Sequence, residues 1–298
     1  MKTSVENLPV LPEWLASMFP FKRNLIMVNG MPIHLVDEGS GPIVMLFHGN
    51  PTWSFLWRKI IPLLTSKGLR VVVPDLPGLG FSHKPLRPED HSLEFHIQTM
   101  CGLVQTLGIE KMVIAAQDWG GPISSGVAAR MPEKITGAVF ANTAVLLPKL
   151  PIRTTQFHRL SHVPIVSDFM FRGLAFPLPV LSQVQGNKRS IGFREHLAYF
   201  YPLRHIKDRS AMLGLARMVP DNASHPSLQQ LAQSDAWARS FKGKTAFIWG
   251  TRDPIMGRAL SRLKQAIPHA SVTETPAGHF LQEEVPHEFA QSILSVID

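Results

Sequence analysis

The sequence predicts an α/β protein with a mostly parallel sheet, flanking helices and one mainly helical insertion. Short apolar runs bounded by Gly or Pro alternate with helix-length segments, which is typical of strands buried on both faces of a parallel sheet. The alternation breaks between about residues 147 and 221, where Phe, Leu and Pro are frequent and no strand pattern is visible. We therefore expect a core of residues 1–146 and 222–298 and a helical cap of residues 147–221.

The elements are predicted in the following order. Two strands at residues 24–29 and 32–37 form a hairpin that turns at Gly30-Met31. Buried strands follow at residues 43–47, 70–74, 111–116, 137–141, 245–249 and 271–275. Helices are expected at residues 56–66, 93–107, 121–130 and 258–267.

Composition narrows the class of protein. The chain has 298 residues, 45% of them hydrophobic and 17% charged, which is enough for a large core and excludes a disordered chain. The net charge of +8 comes from Lys and Arg scattered singly or in pairs, so we expect no nucleic-acid partner. No uncharged apolar run reaches the ~18 residues of a membrane span, and the N-terminus lacks a signal-peptide pattern. The single cysteine, Cys101, excludes an internal disulfide and fits a reducing compartment, so we expect a cytoplasmic protein without a membrane partner.

Ligands of an open α/β sheet bind at the carboxyl ends of its strands, so the residues that follow each strand are the candidates. Ala116-Gln-Asp-Trp-Gly120 has the small-x-nucleophile-x-small form of a strand-to-helix elbow, with Asp118 at its centre. The alternative is that Asp118 only caps the following helix. An Asp nucleophile attacks carbon and leaves an ester on the enzyme, which suits displacement at an alkyl carbon bearing a leaving group.

Clearing that ester with water requires a base and a carboxylate to orient it. His279 follows a late strand in a suitable loop, although a lone histidine is more often a satisfied core or surface residue. The acid is expected after one of two strands. One position holds Asn142, which cannot carry the charge, and the other holds Asp253, which is alternatively a turn residue before Pro254.

The leaving group also needs a binding site. A halide is a suitable leaving group, because it accepts hydrogen bonds and needs no proton. Asn50 and Trp119 carry side-chain N–H donors on neighbouring loops, and their backbone N–H groups are candidates for an oxyanion hole. The alternatives are a turn role for Asn50, before Pro51, and core packing for Trp119.

Four segments together resemble the haloalkane dehalogenases of the α/β-hydrolase superfamily. They are His48-Gly-Asn-Pro-Thr-Trp-Ser-Phe-Leu-Trp-Arg58, Asp75-Leu-Pro-Gly-Leu-Gly-Phe-Ser82, Gln117-Asp-Trp-Gly-Gly121 and Gly278-His-Phe280. The resemblance implies an eight-stranded α/β-hydrolase fold, with Asp118 as nucleophile, His279 as base, and Asn50 with Trp119 on the halide. The reaction it implies converts a haloalkane and water to an alcohol and halide.

The combination of Asn50, Trp119 and Asp253 is most similar to the third subfamily of these enzymes. Members of that subfamily tend to form large assemblies, so the resemblance also implies self-association.

Two other functions stay open at this point. Epoxide hydrolases share the fold and the Asp nucleophile, but they resemble one another in using two tyrosines of the cap. The only tyrosines here are Tyr199 and Tyr201. A non-catalytic ligand-binding hydrolase fold usually lacks a catalytic member, and none is missing here. We expect no cofactor and no metal, because no dinucleotide fingerprint, phosphate loop or His-Glu-x-x-His motif is present.

Overall fold

The computed structural model describes residues 8–149, 152 and 156–297. Residues 1–7 and 298 of the predicted core and residues 150, 151 and 153–155 of the predicted cap therefore lie outside the described residues. Its sheet has eight strands. They are β1 (Arg23–Val28), β2 (Met31–Glu38), β3 (Ile43–Phe47), β4 (Arg70–Pro74), β5 (Met112–Gln117), β6 (Ile135–Ala141), β7 (Lys244–Gly250) and β8 (Ser271–Thr275).

The strand order is β1-β2-β4-β3-β5-β6-β7-β8. β2 pairs antiparallel with β1 and β4, and all other neighbours are parallel. The fold class predicted from sequence is therefore confirmed. Because β3 to β8 run parallel, the loops after β3, β5, β6, β7 and β8 emerge at one edge of the sheet.

Eleven helices are described, and they are α1 (Glu13–Met18), α2 (Ile61–Thr65), α3 (Leu93–Thr106), α4 (Gly120–Arg130), α5 (Gln156–Ser161), α6 (Phe193–Phe200), α7 (Ser210–Arg217), α8 (Ser227–Ser240), α9 (Leu260–Ala266), α10 (Leu281–Glu284) and α11 (Pro286–Leu294). Helices α3, α4 and α8 pack together on one face of the sheet, and α2 and α11 pack together on the other. β5, between these layers, is buried along its whole length.

One predicted helix is wrong. Residues 56–66 were expected to form a single helix, but a 3₁₀ turn at Ser54–Trp57 is followed by the separate helix α2. Pro62 explains the break, since proline lacks an N–H and its ring clashes with the carbonyl group four residues earlier. It is tolerated as the second residue of α2, where the N–H would have no partner.

The chain between β6 and α8 contains only helices and turns within the residues that the structure describes. Polar contacts fix this insertion to the core. The Trp53 indole N–H donates to the Ala198 carbonyl at 3.0 Å, and the Tyr199 hydroxyl donates to Glu283 at 2.6 Å. Glu283 also pairs with Arg58 of the core. Among the described residues, no helix is long and apolar enough to cross a membrane.

Candidate active site

Asp118 occupies a tight turn between β5 and α4. Its φ of 53° lies in the left-handed region, where few residues other than glycine are found. The Thr143 hydroxyl donates to the Asp118 carbonyl at 2.5 Å and holds this turn. A Cβ atom at position 49 would lie 2.1 Å from Asp118 Oδ1, and one at position 121 would lie 2.0 Å from Thr143 Oγ1. Glycine is therefore required at both positions for the Asp118 side chain to stand where it does.

The Asp118 carboxylate points away from α4. Its Oδ1 accepts the backbone N–H of Asn50 at 2.8 Å, and its Oδ2 lies 3.4 Å from His279 Nε2. The residue before α4 is Trp119, and it makes no side-chain cap. The Asp118 side chain is thus committed to the loops after β3 and β8 rather than to capping.

His279 lies between two carboxylates. Its Nδ1 is 2.8 Å from Asp253 Oδ2, on the side opposite to Asp118. The imidazole is only 2% exposed. Burial lowers the pKa of His279, but the charge of Asp253 and the hydrogen bond with Asp118 raise it, and the net pKa is about 10. Burial raises the pKa of Asp253, and the charge and hydrogen bond of His279 bring it below its usual value.

Asn142, after β6, supports the acid. Its Nδ2 donates to Asp253 Oδ2 at 2.6 Å and lies 3.2 Å from the Gly250 carbonyl, while its Oδ1 accepts the Gly250 N–H at 2.8 Å. From the sequence alone, Asn142 is considered only as a position for a charged group. The missed signal is that it follows the strand next to β7, so its amide meets the acid across the sheet edge.

Asn50 reaches the site from the loop after β3. Its Nδ2 donates to the Met212 carbonyl of α7 at 3.0 Å, which places the insertion directly over the site. This contact uses one of the two Nδ2 hydrogens and leaves the other for a ligand. Trp119 follows Asp118 directly and is only partly buried. The structure brings all five predicted site residues to the same sheet edge, while the halide-binding role stays a prediction.

A second contact from the insertion meets the loop that carries His279. The backbone N–H of His279 donates to the Val184 carbonyl at 2.9 Å. Glu284 of α10 accepts backbone N–H groups from both sides, from Gly278 at 2.8 Å, Gly186 at 3.0 Å and Asn187 at 2.6 Å. The base loop and the insertion are thus joined through one carboxylate.

Gln117, the last residue of β5, is a further residue of the site that is not predicted from the sequence. It is fully buried, and its Nε2 lies 3.1 Å from both the Nε2 and the carbonyl oxygen of His279. The available signal was a polar residue at the end of an otherwise apolar strand, directly before Asp118.

Neither tyrosine presents the arrangement that epoxide opening requires. The hydroxyl of Tyr199 is committed to Glu283, and burial together with the Glu283 charge holds its pKa well above the usual value. The ring of Tyr201 packs edge-on against Trp14, with their centroids 6.0 Å apart, and Arg204 lies over it. Within the described residues there is no cluster of three or more His, Cys, Asp or Glu side chains that suits a metal ion.

Comparisons with known proteins identify the fold and its relatives. A family model for the alpha/beta hydrolase fold matches residues 42–286. A haloalkane dehalogenase of Mycolicibacterium paratuberculosis is 32% identical over 93% of this chain and 93% of its own. The tetrameric structure of a haloalkane dehalogenase from Paraglaciecola agarilytica superposes with a TM-score of 0.82 at 26% identity, covering 96% of this chain and 97% of its own. A cis-3-alkyl-4-alkyloxetan-2-one decarboxylase of Shewanella oneidensis is 29% identical over 92% of this chain and 87% of its own.

Proposed function

This chain belongs to the haloalkane dehalogenases of the α/β-hydrolase fold, a family of hydrolases that act on carbon–halide bonds, and we propose that Asp118 is its nucleophile. One observation carries the assignment. The two oxygens of the Asp118 carboxylate have different neighbours, since Oδ1 is held by the Asn50 N–H and Oδ2 faces the His279 imidazole. A carboxylate held in this way has one oxygen free to attack, and the held oxygen becomes the ester carbonyl oxygen, on which negative charge develops when water attacks.

In the first step an Asp118 oxygen attacks the alkyl carbon, the carbon–halogen bond breaks, and the halide leaves with the bonding electrons. The free Nδ2 hydrogen of Asn50 and the indole N–H of Trp119 bind the ion. No proton donor is required, because halide leaves as a stable anion.

In the second step His279 removes a proton from water, which attacks the Asp118 carbonyl carbon and releases the alcohol. The backbone N–H groups of Asn50 and Trp119 stabilise the oxyanion, and Asp253 stabilises the imidazolium. The negative charge of Asp118 is one cause of the raised His279 pKa, and esterification removes that charge. The base therefore becomes available after the first step has formed its substrate.

Halide release tests the proposal. Purified wild-type protein is expected to release bromide from 1,2-dibromoethane and 1-bromobutane, and Asp118→Ala is expected to release none. Asp168→Ala is the matched control, because the Asp168 side chain is 45% exposed and pairs with Arg172, four residues further along the chain. Equal release by wild type and Asp118→Ala would remove Asp118 as the nucleophile. No release by either folded protein would direct the search to epoxides and then to non-catalytic ligand binding.

The relative that acts on oxetanones suggests a second substrate class. Attack of Asp118 on the saturated ring carbon next to the ring oxygen would break the bond between these two atoms and release a carboxylate. Like halide, a carboxylate leaves without a proton and accepts N–H hydrogen bonds. Loss of carbon dioxide with departure of the Asp118 carboxylate would then give an alkene. Gas chromatography of incubations with a 3,4-dialkyl oxetan-2-one separates the functions, since hydrolysis gives no alkene.

We also propose a cytoplasmic protein that self-associates through its insertion. Cys101 is a buried free thiol, and apolar side chains at Ile165, Phe169 and Phe193 are 83%, 62% and 78% exposed. Light scattering coupled to gel filtration is expected to show an oligomer, and Ile165→Asp with Phe169→Asp to reduce its mass. A wild-type mass of 33.2 kDa would exclude self-association.

A further inference from the structure

The Gln117 amide contacts both the ring and the backbone of the same histidine. Its Nε2 lies 3.1 Å from the His279 carbonyl oxygen and 3.1 Å from His279 Nε2. A carbonyl oxygen only accepts hydrogen bonds, so it selects the nitrogen end of the amide. That nitrogen carries two hydrogens, one for the carbonyl oxygen and one for the imidazole.

The orientation of this amide has a consequence for the imidazole. A donor that faces His279 Nε2 pairs with the lone pair of neutral imidazole, whereas it would oppose the N–H of the imidazolium. On the other side of the ring, Nδ1 carries the proton that is donated to Asp253 Oδ2 at 2.8 Å. The Gln117 Oε1 atom is buried and has no partner among the described residues. Reversing the amide would set Oε1 against the His279 carbonyl oxygen, and because both atoms only accept hydrogen bonds, the bond would be lost.

We propose that Gln117 is a positioning residue that favours the neutral, lone-pair form of His279 once Asp118 is esterified, with Nε2 directed to Asp118. This inference rests on the proposed function, because it assigns Gln117 to the ester-hydrolysis step. The attacking water shares the lone pair that the amide orients. The alkylation step needs no base, so it does not depend on this contact.

Other charged groups act on the same ring. Asp118 and Asp253 both favour the imidazolium, and Glu284 of α10 binds the N–H of the preceding residue, Gly278. Burial lowers the pKa of His158 of α5, and the charge of Asp118 acts in the opposite direction. When Asp118 is esterified, only Asp253 remains as a direct carboxylate partner, and the Gln117 donor then favours the base form.

The matched variants are Gln117→Leu and Gln282→Leu. Gln282 is also a fully buried glutamine, but its side chain has no hydrogen-bond partner among the described residues. In Gln117→Leu we expect the pH below which alkyl-enzyme hydrolysis falls to move upward by about half to one pH unit, the effect of losing one neutral hydrogen bond. The first-turnover halide burst should persist. Gln117→Glu should move the limb further upward, because its carboxylate stabilises the imidazolium. Gln282→Leu should leave the limb in place.

A second measurement needs no turnover. In Asp118→Asn, which is uncharged like the ester, nitrogen NMR of His279 should show a higher pKa when Gln117→Leu is added. An unchanged His279 pKa, or a slower hydrolysis step whose pH limb does not move, would overturn the positioning role. Absence of halide release from wild type would instead overturn the proposed function and leave the NMR prediction standing.

Discussion

The loops at the carboxyl edge of the sheet and the helical insertion contribute to the site in different ways. The sheet loops supply side chains, and several hydrogen bonds restrain the central ones, as Asp253 shows with His279, Asn142 and the Ile255 N–H. The insertion supplies main-chain oxygens, from Met212 to Asn50 and from Val184 to His279, and one side chain, the Gln185 amide, which pairs with the backbone of Phe280. The proposed chemistry thus depends on side-chain identity in the core, whereas the cap acts mainly through the position of its backbone.

The largest effect is expected from the core base. His279→Phe should still release halide once per site but lose at least about 10³-fold in steady turnover, because ester hydrolysis lacks its base. Mass spectrometry of the intact protein after incubation with 1-bromobutane should find a butyl ester on Asp118. An unmodified protein would show that His279 is also needed for alkylation.

The proposed halide donors come next. Asn50→Ala should reduce halide release about 10²–10³-fold, the usual cost of one preorganised donor, while its backbone N–H still reaches Asp118. Asn222→Ala, at an exposed turn, is the control. Fluorescence quenching of Trp119 by added bromide should weaken in Asn50→Ala, and unchanged bromide affinity would exclude Asn50 from the halide site.

The support of the acid should matter less. Asn142→Ala removes the amide that donates to Asp253 Oδ2, while the His279 contact of that oxygen remains. A hydrogen bond to a charged group contributes about 1.5–3 kcal/mol, so we expect a loss of about 10- to 100-fold in ester hydrolysis. Single-turnover kinetics should show alkylation nearly unchanged. An equal loss in both steps would mean that the substitution disturbs the Asp118 elbow as well.

The smallest effect is expected at the junction with the cap. Ser210 begins α7, two residues before Met212, and its hydroxyl donates to Pro85 and contacts His91 Nε2 at 3.2 Å. Ser210→Ala should raise KM several-fold with kcat within about threefold, since one neutral hydrogen bond contributes about 0.5–1.5 kcal/mol. A large loss of kcat would show that the cap takes part in the chemistry and would remove the contrast between the regions.

The sequence predicted the sheet well, because a buried parallel strand is apolar along its length and ends at Gly or Pro. β3, β4 and β8 begin and end at the predicted residues. The helix predicted for residues 56–66 is wrong because Pro62 interrupts it. Helices α5, α6 and α7 were foreseen only as a mainly helical region, since their packing on the core sets their ends.

The site could be predicted as far as residue type and strand order determine it. Asp118, Asp253 and His279 each follow a strand of one parallel sheet, so topology brings them together. Gln117 and Asn142 act through the direction of an amide, which depends on atomic positions in neighbouring loops. Sequence spacing carries no information about that direction.

Three backbone N–H groups on Glu284 hold the insertion against the His279 loop. The bonds from Gly186 and Asn187 join the insertion to the helix that follows the His279 loop, and Gly278 joins that loop to the same carboxylate. Charge-assisted bonds of this kind are strong, so we expect the insertion to stay attached to the core at this corner when other parts of it move. We therefore expect substrate to enter and alcohol to leave at the side of the insertion away from Glu284, where movement of the cap leaves His279 in place.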